Sequence, residues 1–370
     1  MAIDYMQGWQ GVDPKQVAVG GSSGVETWLN NLITPRGTLK SIRDLTIYSL
    51  SNGGLRHNFE NGADGQVQLA TYAGSGYSYT VAARFFVTPQ ETGITTLGAR
   101  IKRNSTTNAQ CIRIIGALTA SGGNSGTSYT GGTNQLTEVY VELAIDWDTK
   151  TLRIYLNDTL NGTINFTSLT EVYIGSIAGY PIFPPGNSNG STSWGFSVTA
   201  GRQSISDIYA NYDAPDEENP VGRLGPIIVR PIPLADVSIA NGSFFGTTKE
   251  EWLANKSTYS SNPNKGIRTS GDGKKTIATF DDITKYRREG EEIVGFGFTQ
   301  LFTNFDPVKP TKFIANVSGP SGTDYTGKIE KLSGGTSYSA PVGFTAAVGG
   351  LKEEDLAGIR IYMDMTRAAD

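Results

Sequence analysis

The sequence contains very few of the residues from which disulfide frameworks, closed zinc sites and catalytic triads are built. Among 370 residues there is one cysteine and one histidine, so neither an internal disulfide nor a zinc site with four Cys or His ligands can form. The cysteine, Cys111, lies in the apolar run CIRII and is interpreted as a small core hydrophobe. The histidine, His57, is predicted to lie in an early strand with a surface or pairing role, because any Ser-His-Asp triad would depend on it alone.

Charged residues of both signs are scarce as well. Charged residues make up 18% of the chain, the net charge is −4, and the basic residues form doublets such as Lys274-Lys275 and Arg287-Arg288. A protein surface that binds nucleic acid normally carries a basic stripe, so no nucleic-acid partner is predicted. Since no apolar stretch approaches the ~20 residues that span a bilayer, membrane insertion is not predicted either.

Glycine and apolar residues, in contrast, are plentiful. The 46 glycines and the 38% hydrophobic content are typical of many short strands joined by tight turns. Helical signals are short: a capping-box spacing at Thr248–Glu251, and residues 352–356 stopped by Gly358. Because neither is long enough to form the crossover helix of a parallel sheet, antiparallel sheets are predicted.

The clearest single element is a β-hairpin between Val139 and Leu156. Apolar and polar residues alternate on both sides of a turn at 148–150, which predicts two strands with one buried face. Tyr140 and Tyr155 fall on the outward face of this pair. Together with Trp9, near the start of the sequence, they are the candidate contact residues for a protein interface or a sugar.

The stretch Ser204–Val237 divides the chain. A strand-like run through Asp207–Tyr209 passes into an acidic connector, and a second apolar run, Ile227–Val229, ends at prolines. The first run is predicted to be the last strand of one β-domain and the second run the first strand of another. Proline donates no ladder hydrogen bond and biases the preceding residue toward extended geometry. The sequence therefore predicts an all-β chain with two antiparallel, jelly-roll-like β-sandwich domains in tandem. The predicted ranges are an N-terminal arm over 1–25, the first sandwich over 26–213, a linker over 214–223 and the second sandwich over 224–370.

Several short segments of the chain match a known pattern. In the first domain they are Met6–Trp9, Glu138–Leu143, an Asn-Gly turn at Asn161-Gly162, and Asp207–Tyr209; in the second they are Leu224–Val229, Pro233–Asp236 and Gly358–Ile361. With these segments the first domain resembles the concanavalin A-like, laminin-G-like sandwich of tailed-bacteriophage structural proteins. The second resembles the β-domain that commonly follows it in that family. The resemblance implies a virion structural protein.

Sandwiches of this type also occur in glycoside hydrolases, whose retaining members use two carboxylates ~5 Å apart. The nearest candidates here are Glu142, Asp146 and Asp148. Glu142 and Asp146 are four residues apart, which is ~13 Å along a strand, and Asp146 and Asp148 flank the hairpin turn. All three are interpreted as solvent-side carboxylates at the hairpin tip. No enzymatic activity is predicted, and a polysaccharide depolymerase is the enzyme alternative.

No cofactor is predicted, although calcium stays open. Lectin-like and laminin-G-like sandwiches often bind calcium through carboxylate, amide and carbonyl oxygens. None of the candidate ligands has the spacing of a known calcium-binding loop. The candidates are Asp281-Asp282, Asp213 with Asp216 and Glu217, and Asn157-Asp158.

The function predicted from the sequence is that of a structural component of a tailed-phage virion, assembled in the host bacterial cytoplasm. It would act by contacts with other virion proteins and with copies of itself, as a homo-oligomer. A tail, collar, baseplate or fibre-associated position is the first hypothesis. The alternatives are a capsid decoration or cementing protein, and a carbohydrate- or receptor-binding module that recognises a host surface glycan from the virion surface.

Overall fold

A computed structural model describes twenty segments of the chain, which form two compact units. The first, unit 1, ends at Val229, and the second, unit 2, begins at Arg230. The strand pairings within the described segments are antiparallel, and the helices there are short, so the all-β prediction is confirmed. No helix of the described segments is long and apolar enough to cross a bilayer. The described residues are 5–8, 43–49, 55–61, 67–87, 89–104, 112–119, 138–176, 191–194, 199–211, 223–230, 232–239, 242–254, 266–269, 274–295, 300–303, 311–321, 324–325, 329–332, 337–340 and 353–367.

The described strands of unit 1 belong to one sheet of 11 strands. In chain order they are β1 (Tyr5–Gln7), β2 (Arg43–Ser49), β3 (Leu55–Asn61), β4 (Val67–Phe86), β5 (Ile94–Asn104), β6 (Ile112–Thr119), β7 (Glu138–Asp146), β8 (Thr151–Leu156), β9 (Thr159–Ser176), β10 (Ser191–Trp194) and β11 (Thr199–Asn211).

This sheet folds over on itself. Its order is β10-β6-β9-β8-β7-β5-β11-β4-β2, with β1 paired to β11 and β3 paired to β4. The long strands β4 and β9 pair with different neighbours along their two halves, and they pair with each other through residues 81–86 and 171–176. The pairings therefore close a ring through β4, β9, β8, β7, β5 and β11, and β5 lies between β7 and β11 within it.

The core of unit 1 is built from alternating residues of these strands, because side chains two apart on a strand share a face. The predicted hairpin is confirmed: β7 pairs with β8 from Val141 opposite Leu156 to Asp146 opposite Thr151. Buried members of the core include Leu97, Ala99, Ile101, Ile112, Ile114, Val141, Leu143, Ile145, Leu152, Ile154, Val172, Ile174 and Ile205.

The turn after this hairpin lies at a different place from the one expected. Asn161-Gly162 was expected to form an Asn-Gly turn, but both residues lie inside β9. The turn between β8 and β9 is made by Asn157 and Asp158, which have φ angles of 46° and 69°. Asn and Asp tolerate this left-handed region better than other non-glycine residues. The Asn157 side chain adds a reason, because its Oδ1 accepts a hydrogen bond from the Tyr140 amide at 2.8 Å.

Residues 223–229 also differ from the sequence-based expectation, which made Ile227–Val229 the first strand of the second domain. They form no strand and belong to unit 1. Pro226 has no N–H to give to a ladder, and the amides of Leu224, Gly225 and Val229 are bonded to carboxylates of unit 1. We call residues 223–229 the docking segment.

Unit 2 contains a six-stranded sheet and two two-stranded sheets within the described residues. The larger sheet has the order β12-β15-β21-β17-β18 with β19 paired to β17, and the smaller ones are β13-β14 and β16-β20. The elements are β12 (Leu234–Ile239), β13 (Gly242–Phe245), α1 (Lys249–Ala254), β14 (Gly266–Thr269), β15 (Lys274–Phe280), a 3-10 helix (Ile283–Tyr286), β16 (Gln300–Thr303), β17 (Thr311–Ser318), β18 (Asp324–Tyr325), β19 (Ile329–Leu332), β20 (Ser337–Ala340), α2 (Glu353–Leu356) and β21 (Arg360–Arg367).

Both short helices lie where the sequence predicts them. Helix α1 starts with a capping box in which Thr248 Oγ1 accepts from the Glu251 amide at 3.1 Å and Glu251 Oε2 accepts from the Thr248 amide at 3.2 Å. Helix α2 is anchored by Asp355, which is fully buried. Its carboxylate accepts from the amide and the hydroxyl of Ser321 at 2.8 and 2.9 Å, which fixes the helix to the turn after β17.

The stability of unit 2 should depend on pH through Glu291. The Arg230 guanidinium donates two hydrogen bonds of 2.5 Å to the Glu291 carboxylate, and these lower its pKa from 4.5 to about 2. A carboxyl whose pKa is depressed in the folded state stabilises that state above its unfolded pKa and loses the effect as it protonates. We therefore expect the stability difference between the wild type and Glu291→Gln to be constant at neutral pH and to shrink between pH 4.5 and about 2. Urea unfolding of both proteins across this range measures it; a difference independent of pH contradicts the assignment.

Candidate functional site

Two carboxylates are buried on one face of the sheet in unit 1, on the two strands that flank β5. Glu142 of β7 is 1% exposed and Asp207 of β11 is 0% exposed. Residues 139–146 of β7 are all buried, on both faces of the strand. The expectations of a hairpin with one buried face and of a solvent-side Glu142 are therefore wrong. The reason is that the docking segment binds this second face.

Glu142 holds the first half of the docking segment. Its Oε1 accepts hydrogen bonds from the amides of Leu224 and Gly225 at 3.0 and 2.9 Å and from the hydroxyl of Tyr209. Its Oε2 accepts from Arg223 Nε at 2.7 Å. A carboxylate is costly to bury unless it is paired and hydrogen-bonded, and these four donors meet that requirement.

The Tyr209 hydroxyl can reach Glu142 because the strand between them carries a glycine. Gly98 of β5 lies opposite Glu142 on one side and opposite Tyr209 on the other. A Cβ at this position would overlap the Tyr209 ring and lie 2.8 Å from the Tyr140 hydroxyl. Gly98 is therefore needed for close approach, which is a recognised use of glycine in a strand.

Asp207 holds the second half of the segment from an irregular point in β11. The register of β11 against β5 shifts between Ser206 and Tyr209, and Asp207 has a φ of 49°, a conformation that Asp adopts more readily than most residues. Its Oδ1 accepts from the Val229 amide at 2.9 Å. Its Oδ2 accepts from Arg100 Nε at 2.7 Å and from Ser206 Oγ at 3.1 Å.

Arg100 joins Asp207 to the backbone of the segment. Besides Asp207, its guanidinium donates to Glu138 Oε1 and to the carbonyl oxygen of Ile227, both at 2.8 Å. Burial opposes the charged form of Arg100, but the carboxylates of Asp207 and Glu138 outweigh this and raise its pKa. Burial raises the pKa of Asp207, and the Val229 amide and Arg100 offset part of that rise.

The structure brings together Tyr140 and Tyr155, two of the three predicted contact residues, but not as an open patch. Tyr140 is buried, and its hydroxyl donates to the Asp207 carbonyl at 3.2 Å, so its prediction as a surface contact is corrected. Tyr155 is half-buried with the Arg223 guanidinium 3.3 Å from its ring centroid, a cation–π contact that covers this face of the ring. Trp9 lies outside the described residues, and its role stays a prediction.

The two buried tyrosines of the site, Tyr140 and Tyr209, are held in the neutral form. Burial raises the pKa of Tyr140 well above its usual value, and the negative charge of Glu142 raises it further. Burial likewise raises the pKa of Tyr209, with Glu142 as the next cause. Their hydroxyl protons therefore stay in place as hydrogen-bond donors at neutral pH.

The other two candidate carboxylates hold the hairpin tip together. Asp146 Oδ1 accepts from the Thr149 amide at 2.9 Å, and Asp148 Oδ2 accepts from the Gly93 amide at 3.0 Å. Asp148 is exposed as expected, whereas Asp146 is largely buried. Trp147, between them, is buried and donates to Thr95 Oγ1 at 2.9 Å. These bonds assign Asp146 and Asp148 to the turn.

The calcium candidates within the described segments are bonded to protein donors. Asp158 Oδ1 accepts from Arg223 at 2.5 Å. Asp281 Oδ1 accepts from the Asp282 amide at 2.8 Å and from Lys285 at 3.1 Å, and Asp282 Oδ1 accepts from the Thr284 amide at 2.9 Å. No group of three or more His, Cys, Asp or Glu placed to hold a metal occurs among the residues that the structure describes. Residues 213–217 lie outside them, and a calcium site stays a prediction.

Of the remaining candidate nucleophiles and bases, one lies on a described strand. His57 lies in β3, with its backbone opposite Thr71 of β4. Cys111 lies outside the described residues, and so do residues 20–24 and 186–190, which both match the sequence pattern Gly-x-Ser-x-Gly.

Sequence reasoning missed Arg100, Asp207 and Arg223 as members of one cluster. Arg100 is a charged residue between two apolar ones, which is the signal that could have singled it out, whereas Asp207 and Arg223 each have one large apolar neighbour and give no such signal. The pairing itself could not be inferred, because Glu142 and Arg223 are 81 residues apart and Arg100 and Asp207 are 107 residues apart.

No protein-family model matches the chain, and no curated protein matches it in sequence. Solved structures similar to it include a sialidase, with a TM-score of 0.25 and 10% identity over 45% of this chain. The chain covers only 17% of that sialidase. They also include the tandem CBM22 domains of Xyn10C from Paenibacillus barcinonensis, with a TM-score of 0.25, 8% identity and coverage of 92% of this chain and 90% of that one.

A third similar structure is that of botulinum neurotoxin type C, described for its interaction with two ganglioside molecules. The TM-score is 0.20 and the sequence identity is 9%, and the matched region covers 90% of this chain and 93% of the neurotoxin chain. At TM-scores this low, none of the three likenesses supports an argument about fold or function.

Replacing Asp207 with Asn should destabilise unit 1 strongly. Asn keeps the tolerance for a positive φ but removes the buried negative charge that faces Arg100, which leaves the partly exposed Glu138 as the ion-pair partner of that cation. Breaking a buried ion pair in this way costs about 3–5 kcal/mol, and urea unfolding followed by near-ultraviolet circular dichroism measures the loss.

Asp158→Asn is the matched control. Asp158 also has a positive φ and pairs with an arginine of the same cluster, but its side chain is 62% exposed. An exposed ion pair contributes about 0–1 kcal/mol. Equal losses in the two variants would contradict the central role given to Asp207.

Proposed function

We propose that this chain is a non-enzymatic structural component of a tailed-phage virion, acting by contacts with other virion proteins and with copies of itself. The observation that supports a passive role is the state of its buried carboxylates. Glu142 accepts from four protein donors and Asp207 from three. A general acid or nucleophile must reach a substrate, whereas Glu142 and Asp207 are buried and their carboxylate oxygens are hydrogen-bonded to other groups of the same chain.

We assign unit 1 to the concanavalin A-like, laminin-G-like sandwiches and unit 2 to the β-domain that follows them in phage structural proteins. The behaviour of β4 and β9 supports the first assignment. Each pairs with two different sets of strands along its length, as strands that pass from one sheet of a sandwich to the other do. A tail, collar, baseplate or fibre position is the first hypothesis, and capsid decoration or cementing is the second.

An antibody to this chain should label purified particles of the phage that encodes it. In negative-stain images the label is expected at the tail, the collar, the baseplate or the fibres. Label spread over the capsid surface would select the decoration alternative. If mass spectrometry finds no trace of the chain in purified, infectious particles, the virion proposal is contradicted.

A carbohydrate- or receptor-binding role on the virion surface is the alternative from another class. Since Tyr140 is buried and one ring face of Tyr155 is covered by Arg223, these two residues do not form an open stacking surface for a sugar. A glycan array followed by a tryptophan fluorescence titration distinguishes the two roles. Saturable binding of a glycan at micromolar concentrations would favour the receptor-binding role.

A polysaccharide depolymerase remains the enzyme alternative, and its test needs care in the choice of variant. Release of reducing ends from a host surface polysaccharide by the purified chain would overturn the proposal. Loss of such activity in Glu142→Gln would not identify a catalytic residue, because Glu142 is a buried ligand of the docking segment. Asp148→Asn changes an exposed carboxylate at the hairpin tip instead and is the more informative variant.

A further inference from the structure

The docking segment is held mainly through its backbone. Three of its amides, those of Leu224, Gly225 and Val229, donate to Glu142 or Asp207. The carbonyl oxygen of Ile227 accepts from Arg100, and one side chain, that of Arg223, contributes ion pairs. Contacts of this kind, in which main-chain groups give affinity and a few side chains give selectivity, are how proteins recognise extended peptides.

The segment also has the sequence features of a peptide ligand. The consecutive amides of Leu224 and Gly225 point at one carboxylate oxygen, an arrangement that binds anions. Gly225 has a φ of 70°, which favours glycine. Ile227 and Val229 are buried while Ile228 is 37% exposed, so alternate side chains face the protein, as in an extended chain.

The surface that receives the segment is organised by other parts of unit 1. Glu142, Arg100 and Asp207 lie on the three adjacent strands β7, β5 and β11, whose pairing does not involve the segment. Tyr209 donates to Glu142, Ser206 donates to Asp207, and Glu138 binds Arg100. The receiving groups therefore have orienting partners of their own, and preorganisation of this kind reduces the cost of binding.

We infer that this face of unit 1 is a binding site for an extended peptide with arginine at its first position, glycine at its third and apolar residues at its fifth and seventh. In the intact chain the site is occupied by residues 223–229. The new consequence is that the site can also bind a peptide of this sequence that a separate molecule supplies. This inference does not depend on the virion proposal, and neither failure would imply the other.

The test weakens the binding of the chain's own docking segment by a substitution and then adds a synthetic peptide with the sequence of that segment. In the full chain, Gly225→Ile places a β-branched residue at a positive φ without changing any receiving residue. A fluorescein-labelled peptide with the sequence RLGPIIVR is then titrated, and its fluorescence anisotropy is measured. We expect saturable binding to the variant and at least about ten-fold weaker binding to the wild type, because a tethered ligand competes at a high effective concentration.

A peptide with isoleucine in place of its glycine is the matched control. It should bind the Gly225→Ile chain at least about ten-fold more weakly than RLGPIIVR, since the left-handed conformation costs a β-branched residue at least as much free energy as a ten-fold change in affinity represents. Equal binding of the two peptides, or no binding of either to a chain that circular dichroism shows to be folded, would overturn the inference.

Arg223→Ser is a second, milder variant of the segment, which removes its ion pairs but leaves its amides unchanged. It should also bind RLGPIIVR more tightly than the wild type does. If neither Gly225→Ile nor Arg223→Ser folds, the segment is an inseparable part of unit 1 and the peptide-site inference is wrong.

Discussion

The structure of unit 1 depends on neutralising two carboxylates that lie almost fully out of water. Removing an ion from water costs several kcal/mol even after the protein relaxes, so Glu142 and Asp207 can be buried only with donors around them. Part of those donors comes from the strands, namely Arg100, Tyr209 and Ser206. The rest come from residues 223–229. Residues 223–229 are therefore a structural component of unit 1 and not a plain connector.

The need to neutralise these carboxylates also explains a group of residues that has the composition of an active site. Two carboxylates, two arginines and two tyrosines lie together, and both tyrosines have raised pKa values. Perturbed pKa values cluster at functional sites, but ion-pair networks that stabilise a fold perturb them too. Here the hydrogen-bond partners decide between these explanations, because each carboxylate oxygen is directed at an amide, a hydroxyl or a guanidinium of the chain itself.

Local patterns in the sequence were enough to predict the elements but not their long-range partners. Alternation predicted the hairpin of β7 and β8, and cap spacing predicted α1 and α2. The turn at Asn157-Asp158 was missed because Asn161-Gly162 is the stronger turn pattern, and the side chain of Asn157 gives the actual turn an extra bond to Tyr140. Period-two alternation made Glu142 an outward residue. That face is an interior one because the docking segment packs on it, and Arg223 of this segment lies 81 residues after Glu142 in the sequence.

Amide hydrogen exchange in the full chain tests the central claim most directly. If Glu142 and Asp207 hold the docking segment, the amides of Leu224, Gly225 and Val229 will exchange as slowly as the ladder amides of β7 at neutral pH, although they belong to no strand or helix. Exchange of these three amides at the rate of an unstructured peptide, with the amides of β7 still protected, would contradict the account.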